Sequence, residues 1–468
     1  MDRLLDELTR EELIALVLSL HETVQAHKAR IAELEAIVAR QAERIAELEE
    51  EVRRLRGGRS SAPLWIRPGV AKKEKAPRRK RKNSFARKNL PATRVVCHAL
   101  DRCPECGRNL EGGSVKSRHQ VVELPRVGVE VTDHLFVERR CGVCGKRWTP
   151  VSEVALAGIV VGKKRVGIGL MSTIAHLKTT CRMPIAQIRR LLDAFYGLQI
   201  SAGEIAEILH DVAELGGSEY EALLNGIRGS PVVHGDETGW REDGVNGYLW
   251  SFSSPEVRYY LYRKSRAGAV VTEVLGETFA GTLVSDFLGS YNIYDGLKQR
   301  CWVHLGRDLT ELAERNPDLA EVSSWVEAVM SIYHRAKEAA KKQLTEKERI
   351  HLRRGFEEEL KRLCKPYLGV QDAPQRVLAE RMEWFMGELF TFVEFANVPS
   401  ENNAAERAIR PAVVARKISG GTRSARGSNT ASVLISLFET WTLQGRNTLD
   451  ACREMITRAA TAQPAPAQ

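Results

Sequence analysis

Between residues 20 and 55 apolar side chains recur every seven residues, and that period restricts the stretch to one long helix with an apolar seam. One seam position carries Val24, Ile31, Val38, Ile45 and Val52; the other carries Leu20, His27, Leu34, Gln41, Leu48 and Leu55. β-Branched residues at the first and leucine at the second favour two parallel strands, and Arg-Ile-Ala-Glu-Leu-Glu occurs twice, at 30–35 and 44–49. His27 and Gln41 are polar knobs that cost stability and can specify register. A helix that ends in a linker has nothing of its own to pack on, so residues 1–56 predict a coiled-coil dimerisation element. Packing on its own domain is the alternative.

Charge locates the linker. The chain carries a formal +10, yet residues 56–94 hold 14 Lys/Arg against the single acid Glu74 and leave the remainder at about −3. Arg78, Arg79, Lys80, Arg81 and Lys82 form its densest run, and Pro63, Pro68, Pro77 and Pro91 interrupt it. Such a segment (57–94) cannot build a core and predicts a disordered, polyanion-seeking tether without sequence specificity. No run approaches the ~20 apolar residues of a membrane helix, and the acidic, amphipathic N-terminus does not read as a signal peptide. Nine cysteines, four of them in two Cys-x-x-Cys pairs, point to a reducing compartment and a metal. The expectation is a soluble bacterial cytoplasmic, nucleoid-associated protein of two to four domains, at ~100–200 residues per domain.

Cys103, Cys106, Cys141 and Cys144 each belong to a Cys-x-x-Cys-Gly knuckle, with strand-like residues at 120–124 and 127–137 between them. Residues 95–150 therefore predict a zinc ribbon with one structural Zn2+. Residues 151–228 read as helices at 166–179, 184–196 and 201–225, with Ser201 and Glu204 as a capping box. They form either a helix-turn-helix DNA reader or a helical lead-in to the next domain.

From residue 229 to 304 the pattern changes. A strand at 232–236 ends at Asp236; strands at 248–253 and 259–263 follow; then come a helix at 267–275 and a strand at 281–285 ending at Asp286. Three strands, a helix and a fourth strand, with acids ending the first and fourth, is the order of a ribonuclease-H-like core. Paired carboxylates there suit phosphodiester chemistry, which uses two divalent cations ~3.5–4 Å apart held by oxygen ligands. Residues 305–396 read as an all-helical insertion, 397–445 as the second part of the core, and 446–468 as a C-terminal helix and tail. A loop at 419–428 carries Arg423 and Arg426 ahead of a helix at 431–443.

The stretch Ser400-Glu401-Asn402-Asn403-Ala404-Ala405-Glu406-Arg407 resembles the Asn-Asn-x-x-Glu-Arg signature of IS66-family transposases. The resemblance extends to Gly235-Asp236-Glu237-Thr238-Gly239-Trp240-Arg241 and to Cys301-Trp302-Val303-His304-Leu305-Gly306-Arg307-Asp308-Leu309, and to the order of parts. It implies a DDE triad of Asp236, Asp286 and Glu406 holding two Mg2+ (or Mn2+), with Cys301, His304, Asn402 and Asn403 in support. Glu401 stands where the family usually has Asp. Taken from the residues alone, Asn403 capping a helix with Glu406 in its first turn is an alternative to a metal role. Arg407, Arg410, Arg416 and Lys417, on or near the same helix, are candidate phosphate contacts.

The fold expected is multidomain α+β: coiled coil, zinc ribbon, helical DNA-binding segment, and ribonuclease-H-like catalytic core with an all-helical insertion. The function expected is a DNA transposase that binds its element's ends, cleaves, and joins 3′-hydroxyls to target DNA as a homodimer or higher oligomer. The resemblance also implies accessory proteins of the element as partners. Two rivals are a non-catalytic zinc-ribbon/coiled-coil regulator and a nuclease that cuts without joining.

Overall fold

The computed structural model describes residues 90–124, 128–162 and 164–462, with scattered residues of a helix between 10 and 41. Of the heptad seam, Val24, His27, Ile31 and Gln41 fall in that helix, and Val24 and Ile31 are exposed. Leu20, Leu34, Val38, Ile45, Leu48, Val52, Leu55, residues 78–82 and the 463–468 tail lie outside the described residues. The chain divides into two compact units, Met1–Val122 and Glu123–Gln468.

In the first unit the Cys103 N–H donates to Arg108 O at 2.9 Å and the Gly107 N–H to Cys103 O at 2.9 Å. In the second, the Cys141 N–H donates to Lys146 O at 2.8 Å and the Gly145 N–H to Cys141 O at 3.0 Å. Gly107 and Gly145 take φ of +72° and +71°. Both knuckles thus close on a left-handed residue, which is why glycine follows the second cysteine in each. The strands expected at 120–124 and 127–137 do not form among the described residues. The pairing is instead β1 (Arg139–Arg140) with β2 (Arg147–Trp148), immediately flanking the second knuckle. A longer ribbon would need a core to cover one of its faces.

The second unit continues with helices α1 (Ile168–Thr179), α2 (Ile185–Tyr196), α3 (Ala202–Leu215) and α4 (Gly217–Arg228). Ser201 caps α3, accepting from the Glu204 N–H at 3.0 Å, which is one half of the expected capping box. The single helix expected over 201–225 is two. The break falls at Gly216, where a Cβ would lie 2.6 Å from Leu437 Cδ1, so a neighbouring helix passes too close for any side chain.

The sheet has the order β5-β4-β3-β6-β7, formed by β3 (Val232–Glu242), β4 (Val245–Ser253), β5 (Arg258–Arg263), β6 (Thr282–Ser285) and β7 (Lys298–Arg300). β3, β4 and β5 are antiparallel to one another in turn, and β6 and β7 run parallel to β3. β3 is twice the expected length and turns into β4 through Asp243-Gly244, both at positive φ (49° and 80°). That is the Asp-Gly hairpin turn whose twist matches paired strands. β7 has only three residues, too few for alternation to betray it. Helix α5 (Ala269–Leu275) links β5 to β6.

The insertion is helical as read: α6 (Trp302–Arg315), α7 (Ala320–Ala340), α8 (Glu346–Cys364) and α9 (Arg376–Trp384) pack around Trp302, Val329, Leu360, Met382 and Phe390. The chain then returns through α10 (Asn403–Ser419), α11 (Ala425–Leu443) and α12 (Thr448–Ala462). α11 starts six residues before its expected position and absorbs Arg426 into its first turn. α11 and α12 share one core with α1, α2 and α3, through Met171, Ile188, Val212, Leu437 and Ile456. The 151–228 segment and the C-terminal helix are therefore one packed body rather than separate domains.

α11 also closes the sheet edge. The N–H groups of Arg258, Tyr260 and Tyr262 on β5 donate to Thr440 Oγ1, Ser436 Oγ and Ser432 Oγ at 3.0, 2.8 and 3.0 Å. Four helical residues advance about 6 Å and two strand residues about 6.8 Å, so the hydroxyls keep step with alternate donors. An edge that would otherwise present bare donors is satisfied by side chains.

Candidate active site

β3 and β6 pair with Val232 beside Thr282, Val233 beside Leu283 and His234 beside Val284. The same offset sets Asp236 abreast of Asp286. β6 stops at Ser285 while β3 runs on to Glu242. Asp236 is thus mid-strand, not at a strand end as expected, at the point where its parallel neighbour has finished and the sheet opens.

Burial, then the Glu237 charge, then Asp286 push the Asp236 carboxyl up to about 7, while the Glu237 N–H (2.9 Å to Oδ1) and His304 act the other way. Glu237 was not anticipated as a site residue. Its side chain is 3% exposed, takes Arg266 Nε at 3.0 Å and accepts the Tyr291 hydroxyl at 2.9 Å. The signal was an acid at a strand position that alternation turns inward.

Asp286 Oδ1 accepts the Leu288 N–H at 3.0 Å, a side-chain turn that shapes the loop after β6. Its carbonyl receives Arg300 Nη1 at 2.8 Å. Arg300 is fully buried, with Nε on Glu388 Oε2 and Nη2 on Asn292 Oδ1, both at 2.6 Å. This guanidinium props the Asp286 loop from below, and β7 supplies it.

Glu406 lies in the first turn of α10, its Oε1 3.8 Å from His304 Nε2 and 3.5 Å from Arg307 Nη2. The neighbouring Cys301, then the Asp286 and Glu406 charges, raise the His304 pKa against the effect of burial. Electrostatics therefore link Asp236, Asp286, His304 and Glu406 around one site. Among the described residues, however, no three His, Cys, Asp or Glu side chains form a group that could hold a metal ion. Glu406 faces His304 and Arg307.

Cys301 is buried at the start of α6, and its Sγ accepts the Asn402 N–H at 3.1 Å. Asn402, 2% exposed, donates Nδ2 to Gly235 O at 2.8 Å and meets His234 Nδ1 with Oδ1 at 2.8 Å. Burial lowers the His234 pKa, which keeps the ring neutral. Asn403 does not cap α10. Asn402 holds the N-cap position without a side-chain cap bond, and the Glu406 N–H donates to Asn402 O at 3.2 Å. Glu401 pairs with Lys337 of the insertion at 3.3 Å.

Arg407, Arg410 and Lys417 are exposed on α10. Arg416 is instead committed to β3, donating to Thr238 Oγ1 at 2.9 Å and Gly239 O at 2.7 Å. Arg426 clamps Glu207 and Glu214 of α3 at 2.9 and 3.1 Å. Glu204, Glu207 and Glu214 are all exposed on α3.

The fold is thus a mixed sheet with two acids abreast where it opens, and known families share it in sequence. The model of the transposase IS66 family matches residues 163–430, more than half of the sequence, and the chain belongs to that family. It is also similar to the uncharacterized protein y4jO of Sinorhizobium fredii (strain NBRC 101917 / NGR234), 28% identical over 167 residues. That match covers 36% of this chain and 49% of y4jO, so the chain spans about half the length of that relative. Among the described residues no helix is long and apolar enough to cross a membrane.

Proposed function

We propose that the protein is a DDE transposase that binds the ends of its element, cuts them and joins the 3′-hydroxyls to target DNA. The single observation carrying this reading is the β3–β6 register that sets Asp236 abreast of Asp286 where the sheet opens. The sheet order and the acids on its first and fourth strands support a ribonuclease-H-like core.

The donor chemistry fits divalent cations. Asp236, Asp286 and Glu406 offer hard carboxylate oxygens, the type Mg2+ and Mn2+ prefer, and burial, then the Glu237 and Asp286 charges, raise the Asp236 pKa, an effect a bound cation would oppose. Bound there, two such ions would polarise the phosphate and stabilise developing charge. The chain's own groups do the positioning: Arg300 holds the Asp286 loop, Asn402 ties α10 to β3, and His304 and Arg307 keep Glu406 at the site's rim until it is drawn in. Exposed Arg407 and Arg410 on the same helix suit backbone phosphates. In the first reaction water attacks phosphorus and the 3′-oxygen leaves; in the second that 3′-oxygen attacks target phosphorus and displaces another 3′-oxygen.

The thiolates suit one structural Zn2+. Backbone N–H groups of Cys106 and Cys144 are the largest influence lowering the pKa of Cys103 and Cys141, so each knuckle favours a thiolate at its first cysteine. The exposed seam residues Val24 and Ile31 suit pairing of two chains, and the basic run suits DNA. A strand-transfer assay with labelled element ends and Mg2+ tests the reading. Joined product supports it; nicks without joining point to a nuclease, and binding with neither points to a regulator.

A further inference from the structure

We propose that His234 and Asn402 form a positioning pair that sets the helix of the third acid against the strand of the first. The inference rests on the transposase reading above and concerns two residues that touch none of the reacting groups.

The amide orientation of Asn402 is determined by its surroundings. Gly235 O is a carbonyl and can only accept, so the Asn402 atom 2.8 Å away is the NH2 group. Oδ1 then faces His234 Nδ1 at 2.8 Å, and an amide oxygen can only accept. His234 must carry its proton on Nδ1. One amide therefore spans two consecutive residues of β3, those immediately before Asp236, from a distance of 167 positions along the chain.

The same residue is tied in a third direction, since its backbone N–H reaches Cys301 Sγ at 3.1 Å. Its carbonyl accepts the Glu406 N–H at 3.2 Å, so α10 starts from this fixed point. Among the described residues, no other side-chain hydrogen bond joins α10's first turn to the Asp236 strand. With Asn402 bound at both ends of its amide, Glu406 has its backbone placed relative to Asp236 before any ligand arrives. A buried network of this kind specifies one arrangement only when its members are satisfied, and no buried side-chain nitrogen or oxygen of His234 or Asn402 is left without a partner.

The pair predicts distinct outcomes for different substitutions. In Asn402→Asp the carboxylate cannot donate to Gly235 O, so one of the two side-chain bonds to β3 is lost although His234 keeps its acceptor. In His234→Asn the new amide can keep a donor where Nδ1 stood; in His234→Ala it cannot. The expected results are a several-fold rise in the Mg2+ concentration needed for half-maximal joining in Asn402→Ala, Asn402→Asp and His234→Ala, with His234→Asn closer to wild type. Nitrogen NMR of the metal-free, full-length wild-type protein, assigned by the signal missing in His234→Asn, should find Nδ1 protonated. A His234 without a proton on Nδ1 would overturn the proposal even if the Asn402 variants fail to fold. So would unchanged Mg2+ dependence in well-folded Asn402→Ala. Wild type and Asp236→Asn run alongside separate the two levels: if wild type joins no DNA, the transposase reading has failed; if Asp236→Asn still joins, its place in the triad has; if wild type joins, Asp236→Asn is dead and Asn402→Ala behaves as wild type, only the positioning role has.

Discussion

The Tyr291 hydroxyl donates to Glu237 at 2.9 Å, and its ring lies where a side chain at position 235 would stand, with a Cβ there 2.8 Å from Tyr291 Cε1. Tyr291 follows the Asp286 loop and Glu237 follows Asp236, so the bond crosses between the two acid-bearing segments. Gly235→Ala should push the ring aside and cost about 1–3 kcal/mol, the usual penalty of overpacking. Tyr291→Phe should keep the fold but weaken the brace. Thermal melting compares the two; equal stability of Gly235→Ala and wild type would contradict the packing.

Asp236→Asn and Asp286→Asn should each lower strand transfer by about three orders of magnitude, the several kcal/mol expected of metal polarisation. DNA binding in a gel-shift assay should persist, because the basic side chains are untouched.

Asp236 also makes stability depend on pH. Its carboxyl has an ordinary pKa of 3.8 in the unfolded chain and is pushed up to about 7 in the fold. As pH rises the unfolded state loses its proton first, so the stability this group contributes is full below 3.8 and is lost as pH climbs through about 7. Asparagine cannot ionise. In metal-free protein the melting-temperature advantage of Asp236→Asn over wild type should grow from about pH 4 to about pH 7 and then level off. A difference that stays flat over that window would refute the shift. Added Mg2+ should stabilise wild type more than the variant.

Ser436→Ala removes the hydroxyl that receives the buried Tyr260 N–H at 2.8 Å. An unpaired buried donor costs about 1–3 kcal/mol. The control is Thr442→Ala on the exposed side of α11, expected within about ±0.5 kcal/mol of wild type. Denaturant unfolding measures both.

Metal analysis of the purified protein should return one zinc per chain. Cys103→Ser and Cys141→Ser should each release it while the sheet of residues 232–300 keeps its far-ultraviolet signature. Retention of zinc in both variants would exclude these thiolates as ligands.

Much of the architecture was legible because it is written locally. Cys-x-x-Cys-Gly closes within a few residues, and each knuckle's left-handed glycine needs no distant partner. Short apolar and aromatic runs marked β4, β5 and β6, and the Glu/Lys/Arg/Ala/Leu-rich stretch after Leu305 marked the helical insertion. Asp236 and Asp286 could be singled out because they close the first and fourth expected strands of a ribonuclease-H-like order. The Asp243-Gly244 turn that doubles the length of β3 was a local signal too, passed over in favour of Asp236 as the strand's end.

What tertiary structure alone decided are the uses of side chains whose partners are remote. Asn402 bonds to β3 with its side chain, not to its own helix; Arg416 grips Thr238; and Ser432, Ser436 and Thr440 serve an edge strand 170 or more positions earlier. A polar group's preference for a bond is evident from its chemistry. Which of many competing partners it meets depends on how distant segments pack, and no periodicity in the chain encodes that choice. The sequence by itself therefore determined which groups bring charge and metal affinity, and packing determined which of them face one another.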